Sequence, residues 1–214
     1  MSAQALIKEA PQAADDSAKR RQIVDGARSI FLAKGFDAAS MSDIAREAGV
    51  SKGTLYVYFD NKEQLFQAII RQECLFHAEG AFDFDPKDPD VGAALLRLGT
   101  AYIGFLCQPE KASALRTVVA IAERMPEMGK VFYETGPAMG IAKLAAYLRA
   151  QTESGVLAVD DCNVAAAQFL DSCQSTLFKP VLFNFSGAPQ PAAIEHVVGM
   201  AVRTFLRAYR VNGR

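Results

Sequence analysis

The sequence predicts an all-α protein in two parts, a compact N-terminal unit of short helices followed by a longer helical remainder. Three observations carry this. Apolar residues recur at helical spacing through most of the chain, strand signals are few, and the periodic runs are bounded by Ser, Asp, Asn, Pro or Gly.

Residues 1–16, MSAQALIKEAPQAADD, are Ala-rich and polar with a proline and no sustained apolar period, and read as a mostly disordered arm. From Ser17 the pattern changes. Ile23, Ala27, Ile30 and Phe31 recur at i, i+4, i+7 and i+8, which puts them on one face of a helix ending at Lys34. Gly35 would stop that helix in the left-handed conformation, with Phe36 folded back on Phe31. Ser40 starts the second helix by capping the Asp43 amide while the Asp43 carboxylate reaches back, and Ile44, Ala45 and Ala48 form its apolar side. Gly49 ends it, because a residue without a Cβ turns there at little cost. Ser51 caps a third helix, and Asn61 caps a fourth in which Leu65 pairs with Ile69 and Phe66 with Ile70.

Residues 80–90, GAFDFDPKDPD, break all periodicity. A calcium loop starting at Asp83 would need Gly at its sixth position and Glu at its twelfth, where the chain has Asp88 and Ala94, so a solvated loop is expected. Beyond it the expected helices are Val91 to Cys107, Pro109 to Met125, Glu127 to Glu134, Pro137 to Thr152, Cys162 to about Lys179 after an Asp160 cap, and Pro191 to Arg210. The last carries a wide apolar stripe of Ile194, Val197, Val198, Ala201, Val202, Phe205, Leu206 and Tyr209. The division is therefore an arm over 1–16, a first domain over 17–72 and a second over 73–214.

Composition excludes several classes. Half the residues are hydrophobic, yet no run approaches the roughly 18 apolar residues of a membrane span and no secretory signal is present, so a cytosolic protein with no membrane partner is expected. Cys74, Cys107, Cys162 and Cys173 form no C-x-x-C pair and do not cluster with His77 or His196, which argues against a metal site and for buried thiols over a redox sensor. No nucleophile with its base, and no paired carboxylates, suggest catalysis, and no cofactor is implied. The net charge of −1 hides an asymmetry, since residues 17–72 hold nine basic residues against six acidic ones.

Within that mildly basic part, M-S-D-I-A-R-E-A-G-V-S-K-G-T-L-Y has the form of a helix-turn-helix. Ala45 lets the third helix cross closely, Gly49 makes the turn, Ile44 and Val50 fill the angle, and Ser51 leaves the first amides of the next helix pointing outward. At about 100° per residue, Leu55 and Phe59 share the core side of the third helix. Gly53, Thr54 and Val57 lie opposite, with Tyr56 and Tyr58 flanking. Half-buried core packing is the alternative for the two tyrosines.

The segment from about Ile23 to Ile70 resembles the DNA-binding domain of the TetR family of bacterial transcriptional regulators. G-F-D-A-A-S followed by D-I-A-x-x-A-G-V-S-K-G-T-L-Y-x-Y-F-x-N-K-E-x-L-F is far more distinctive than a generic helix-turn-helix. Met41 departs from the small β-branched residue common in the family. Further on, AERMPEMGKVFYETGP and DDCNVAAAQFLDS look similar to an AefR-like subgroup.

The resemblance implies that Lys52, Gly53, Thr54, Tyr56 and Tyr58 face DNA, with Ser42 near the groove edge and Lys62 at a phosphate. By chemistry, Lys52 suits guanine, Thr54 and Val57 suit a thymine methyl, and Gly53 permits close backbone approach. Tyr56, Tyr58 and Lys62 suit phosphates. A single helix-turn-helix reads few base pairs, so a homodimer on a palindromic double-stranded operator is expected. The resemblance places its interface on the last two helices, although their stripes suit ordinary core equally. It also implies a small-molecule effector held in the second part. Tyr102, Phe105, Met125, Met128, Phe132, Tyr133, Met139, Phe169 and Cys173 would line an apolar cavity there, or else be core, and they favour an apolar or aromatic effector. The expected function is a ligand-released repressor. An enzyme or carrier on a regulator fold, and a nonspecific architectural DNA binder, are its rivals.

Overall fold

The computed structural model describes residues 10–81, 85, 88 and 90–211. Those residues form ten helices: α1 Ala10–Ala38, α2 Met41–Glu47, α3 Lys52–Tyr58, α4 Lys62–Ala81, α5 Val91–Leu106, α6 Pro109–Ala122, α7 Pro126–Thr135, α8 Pro137–Glu153, α9 Cys162–Leu182 and α10 Pro191–Tyr209. The chain divides into two compact units, Met1–Gln72 and Glu73–Arg214. Among the described residues no single helix is long and apolar enough to cross a membrane.

In the first unit Ile23, Val24 and Ala27 of α1 are fully buried, as are Ile44, Leu55 and Leu65 of the next three helices. Phe31, Phe36 and Phe66 close this core as an aromatic triad with centroids 5.2–5.5 Å apart. The expected return of Phe36 onto Phe31 is present. Gly35 differs in detail: its φ of 76° and ψ of 170° lie outside the left-handed helical basin, in a region open to glycine alone, and helical geometry resumes through Ala38. The arm expected over 1–16 is corrected in part. Helix α1 already runs from Ala10, and residues 1–9 lie outside the described residues.

The second unit has one continuous core, to which α5, α8, α9 and α10 contribute. Gly99 of α5 marks its tightest point. A Cβ there would stand 2.5 Å from Val198 Cγ1 and 3.0 Å from the Cys173 sulfur, so three helices meet where a side chain is missing. Phe169 packs edge-on against Phe205, which in turn meets Tyr209. The apolar stripe of the last helix is thus used within the chain. Ile194, Val198, Ala201, Val202 and Phe205 are buried, and the surface left on α10 carries His196, Met200, Arg203 and Arg207.

Two expectations at α9 need correction. Its N-cap is Asp161, whose carboxylate accepts from the amides of Asn163 and Val164, and not Asp160. It also runs past Lys179 to Leu182 with Pro180 inside. The proline ring displaces the helical bond one turn back, and the backbone breaks there at Ser175 (φ 9°, ψ −105°). Arg116 of α6 supports the far end by donating to the carbonyls of Val181 and Leu182.

Burial pushes the thiols of Cys107 and Cys173 up, the latter to about 12, so both are neutral, inert packing groups. Part of the loop expected over 80–90 falls outside the described residues. Its Asp88 is pinned: the Asp88 carbonyl accepts from Tyr147 and Gln151, and its carboxylate pairs with Arg97 at 2.9 Å.

Candidate nucleic-acid interface

Helix α3 owes its position to caps and short bonds that the sequence encodes locally. The Ser40 hydroxyl accepts from the Asp43 amide at 3.1 Å. It also donates to the Asp43 carboxylate at 2.8 Å, so the reciprocal bond goes to the hydroxyl and not to the backbone amide. Gly49 turns the chain at φ 63°. Val50 N–H then donates to the Ala45 carbonyl at 3.0 Å, and Ser51 caps α3 through the Thr54 amide at 3.0 Å. The Ser51 and Thr54 hydroxyls lie 2.8 Å apart, which turns the Thr54 methyl away from that bond.

Helix α1 fixes the turn from behind. Gln22 donates to the Ala48 carbonyl at 2.6 Å, satisfying the C-terminus of α2. Beside it, Gly26 lies so close that a Cβ would stand 2.8 Å from Ala48 N and Cα. Neither residue stands out in the sequence. Gly26 sits inside an ordinary helical run, and only the crossing of α1 over α2 shows why a side chain is excluded.

The faces of α3 follow the helical spacing. Leu55 is fully buried, and Phe59 beyond the helix end is 4% exposed. On the opposite side Val57 is 81% and Tyr56 51% exposed, alongside exposed Lys52 and Gly53 and half-buried Thr54. Ser42 is exposed on α2. Tyr56 therefore keeps about half of its surface open beside the exposed face of α3.

Tyr58 and Lys62 are placed differently. The Tyr58 hydroxyl donates to Asp16 Oδ1 on α1 at 2.6 Å. Lys62 turns inward: its ammonium donates to the carbonyls of Phe36, Asp37 and Ala39 at 2.9–3.3 Å and sits 4.6 Å above the Phe36 ring. An ammonium has three donors, and here all three serve the end of α1. Lys62 therefore holds the first and fourth helices together instead of offering a proton to phosphate.

Asp43 is the electrostatic pivot of α2, with Lys34 at 3.1 Å and Arg46 at 2.7 Å. The Ser40 hydroxyl bond first, and Lys34 next, hold its carboxyl down to about 2 from 3.8. A carboxyl depressed on folding stabilises above its unfolded pKa, and that contribution is lost as pH falls from about 4 towards 2. In an acid titration followed by circular dichroism, Asp43→Asn should be less stable than the wild type near neutrality and converge with it near pH 2. Parallel curves would remove Asp43 as the cause.

The nine residues expected to line an effector cavity differ in burial. Phe169 and Cys173 are fully packed, Met128 is buried in α7, and Tyr133 is 58% exposed. Tyr102 accepts from Gln174 Nε2 at 2.9 Å, and burial raises its phenol well above the ordinary range, so it stays neutral. A cleft of about 300 Å³ lies elsewhere, lined by Arg149, Thr152, Glu153 and residues 159–163.

Comparison with known proteins gives consistent results for both units. Residues 23–69 match bacterial regulatory proteins of the tetR family, and residues 93–211 match the AefR-like transcriptional repressor C-terminal domain. The transcriptional regulator UidR of Escherichia coli K12 is 48% identical over 54 residues, 25% of this chain and 28% of UidR. The alignments thus span only about a quarter of such curated relatives. Solved structures align over nearly the whole chain. A TetR-family regulator from Mesorhizobium loti MAFF303099 superimposes with a TM-score of 0.85 at 27% identity, covering 91% of this chain and 98% of that one. The flavonoid-responsive regulator FrrA does so with a TM-score of 0.79 at 31% identity, covering 92% and 100%.

Proposed function

Since the chain belongs to the TetR family of bacterial transcriptional regulators, we propose that it is a sequence-specific DNA-binding repressor, acting as a homodimer on a palindromic operator and released by a small apolar or aromatic effector. One observation carries the reading: α3 is capped, braced from behind by α1 and α2, and left open along Lys52, Gly53, Thr54, Tyr56 and Val57. A helix so held has a rigid reading face of the width a major groove accepts. Lys52 and Thr54 are the proposed base readers, with Ser42 at the groove edge and Tyr56 and Tyr58 on phosphates.

For the dimer, the outer faces of α9 and α10 are the proposed contact, because the inner stripe of α10 is already used as core. For the effector, Tyr102, Phe105, Met125, Met128, Phe132 and Met139 are the proposed contacts. The neutral Tyr102–Gln174 pair supplies a polar end for an otherwise apolar molecule. An aromatic ligand also fits the flavonoid response of the relative FrrA. A chain that reads operator DNA works in the cytoplasm and needs no catalytic group.

Sequence selection with the purified protein tests the reading. It should return an inverted repeat, with affinity falling steeply as salt rises because several phosphates are neutralised. Selection without a consensus would point to architectural binding, and turnover of a candidate ligand would point to an enzyme.

A further inference from the structure

Asp16 and Arg20 lie one turn apart on the same face of α1 and meet consecutive residues at the end of α3. Arg20 stacks its guanidinium 5.0 Å from the Phe59 ring centroid, and Asp16 accepts the Tyr58 hydroxyl proton at 2.6 Å. The first contact covers one face of the Phe59 ring. The second places an exposed carboxylate on the phenol proposed for phosphate contact. At that length the bond is a charge-assisted one, stronger than a neutral pair.

A phenol has one proton to donate. While Tyr58 gives it to Asp16, an approaching phosphate oxygen meets a lone pair on the phenol and a negative charge beside it. A phosphate diester is also the weaker base of the two acceptors, so the proton favours the carboxylate. We infer that Asp16 is an affinity-setting residue of the DNA interface: it competes with the DNA backbone for the Tyr58 hydroxyl and thereby weakens the binding of any DNA.

The inference rests on the DNA-binding reading above. It gives the competition a purpose. An effector releases a repressor only by as much free energy as it distinguishes bound from free conformations, so an operator complex that is too tight cannot be switched. Asp16 keeps the complex within reach of that switch.

The test measures operator and non-operator affinities of the full chain by fluorescence anisotropy for Asp16→Asn, Tyr58→Phe and the double variant. Asp16→Asn should bind both DNAs roughly three- to tenfold more tightly per dimer, each of two subunits contributing one relieved surface interaction. The gain should shrink in the Tyr58→Phe background, where no hydroxyl is contested, and this dependence separates competition from general charge repulsion. Unchanged or weaker binding by Asp16→Asn would overturn the inference, since it would mean that Asp16 merely orients Tyr58. An equal gain in both backgrounds would overturn it too, leaving only long-range charge. Failure of the wild type to bind any selected DNA would instead strike the DNA-binding reading itself.

Discussion

Lys52→Ala should abolish the gel-shifted operator complex while leaving the circular dichroism spectrum unchanged. Lys52 is exposed at the first turn of α3, and truncating it removes nothing from the buried core. A lost base contact costs about 1–3 kcal/mol, and a dimer loses it twice. The total approaches the roughly 4–10 kcal/mol that separates specific from nonspecific binding. Tyr56→Ala should act in the same direction, with part of its effect falling on nonspecific binding, as expected of a phosphate contact. Specific binding retained by both variants would sink the assignment of α3 as the reader.

Gly26→Ala should lose stability instead, by roughly 1–3 kcal/mol as overpacking does. The new Cβ would meet backbone atoms of Ala48 at 2.8 Å, and backbone cannot rotate away as a side chain can. Relief requires α1 and α2 to part. Ala48 adjoins the Gly49 turn, so the same shift should disturb α3 and weaken DNA binding. Gly53→Ala is the counterpart. Its nearest neighbour would be Ser51 Oγ at 3.7 Å, so denaturant unfolding should show no loss, yet operator affinity should fall if the DNA backbone approaches there. Equal stability of Gly26→Ala and wild type would refute the close packing of α1 on α2.

The helices and their caps were legible because they depend on neighbours in sequence. Ser40, Gly49, Ser51 and Asn61 each act on a group at most a few residues away, and the structure places all four as expected. Periodicity likewise separated Leu55 from Tyr56. What the sequence hid were contacts between distant segments. Lys62 looks like a free cation until the end of α1 is seen beneath it, and Gly26 looks replaceable until Ala48 is set against it. Asp16 lay in a stretch too polar to suggest a helix, although its carboxylate lies 42 residues from its partner in α3. The Asp160 cap failed for a smaller reason, because two adjacent aspartates offer the same chemistry and only backbone geometry selects Asp161. The stripe of α10 showed that a face was apolar, but periodicity alone does not say what covers it.

The bracing of α3 by the front of α1 bears on how such chains are recombined. The family likeness begins at residue 23, which invites a cut there when one reading head is grafted onto another regulator. A cassette cut at that point would leave behind Gln22, which satisfies the end of α2, Arg20, which covers Phe59, and Asp16, which holds Tyr58. A junction moved upstream of Asp16 would carry the helix behind the reader along with it, and with it the affinity this chain sets for itself.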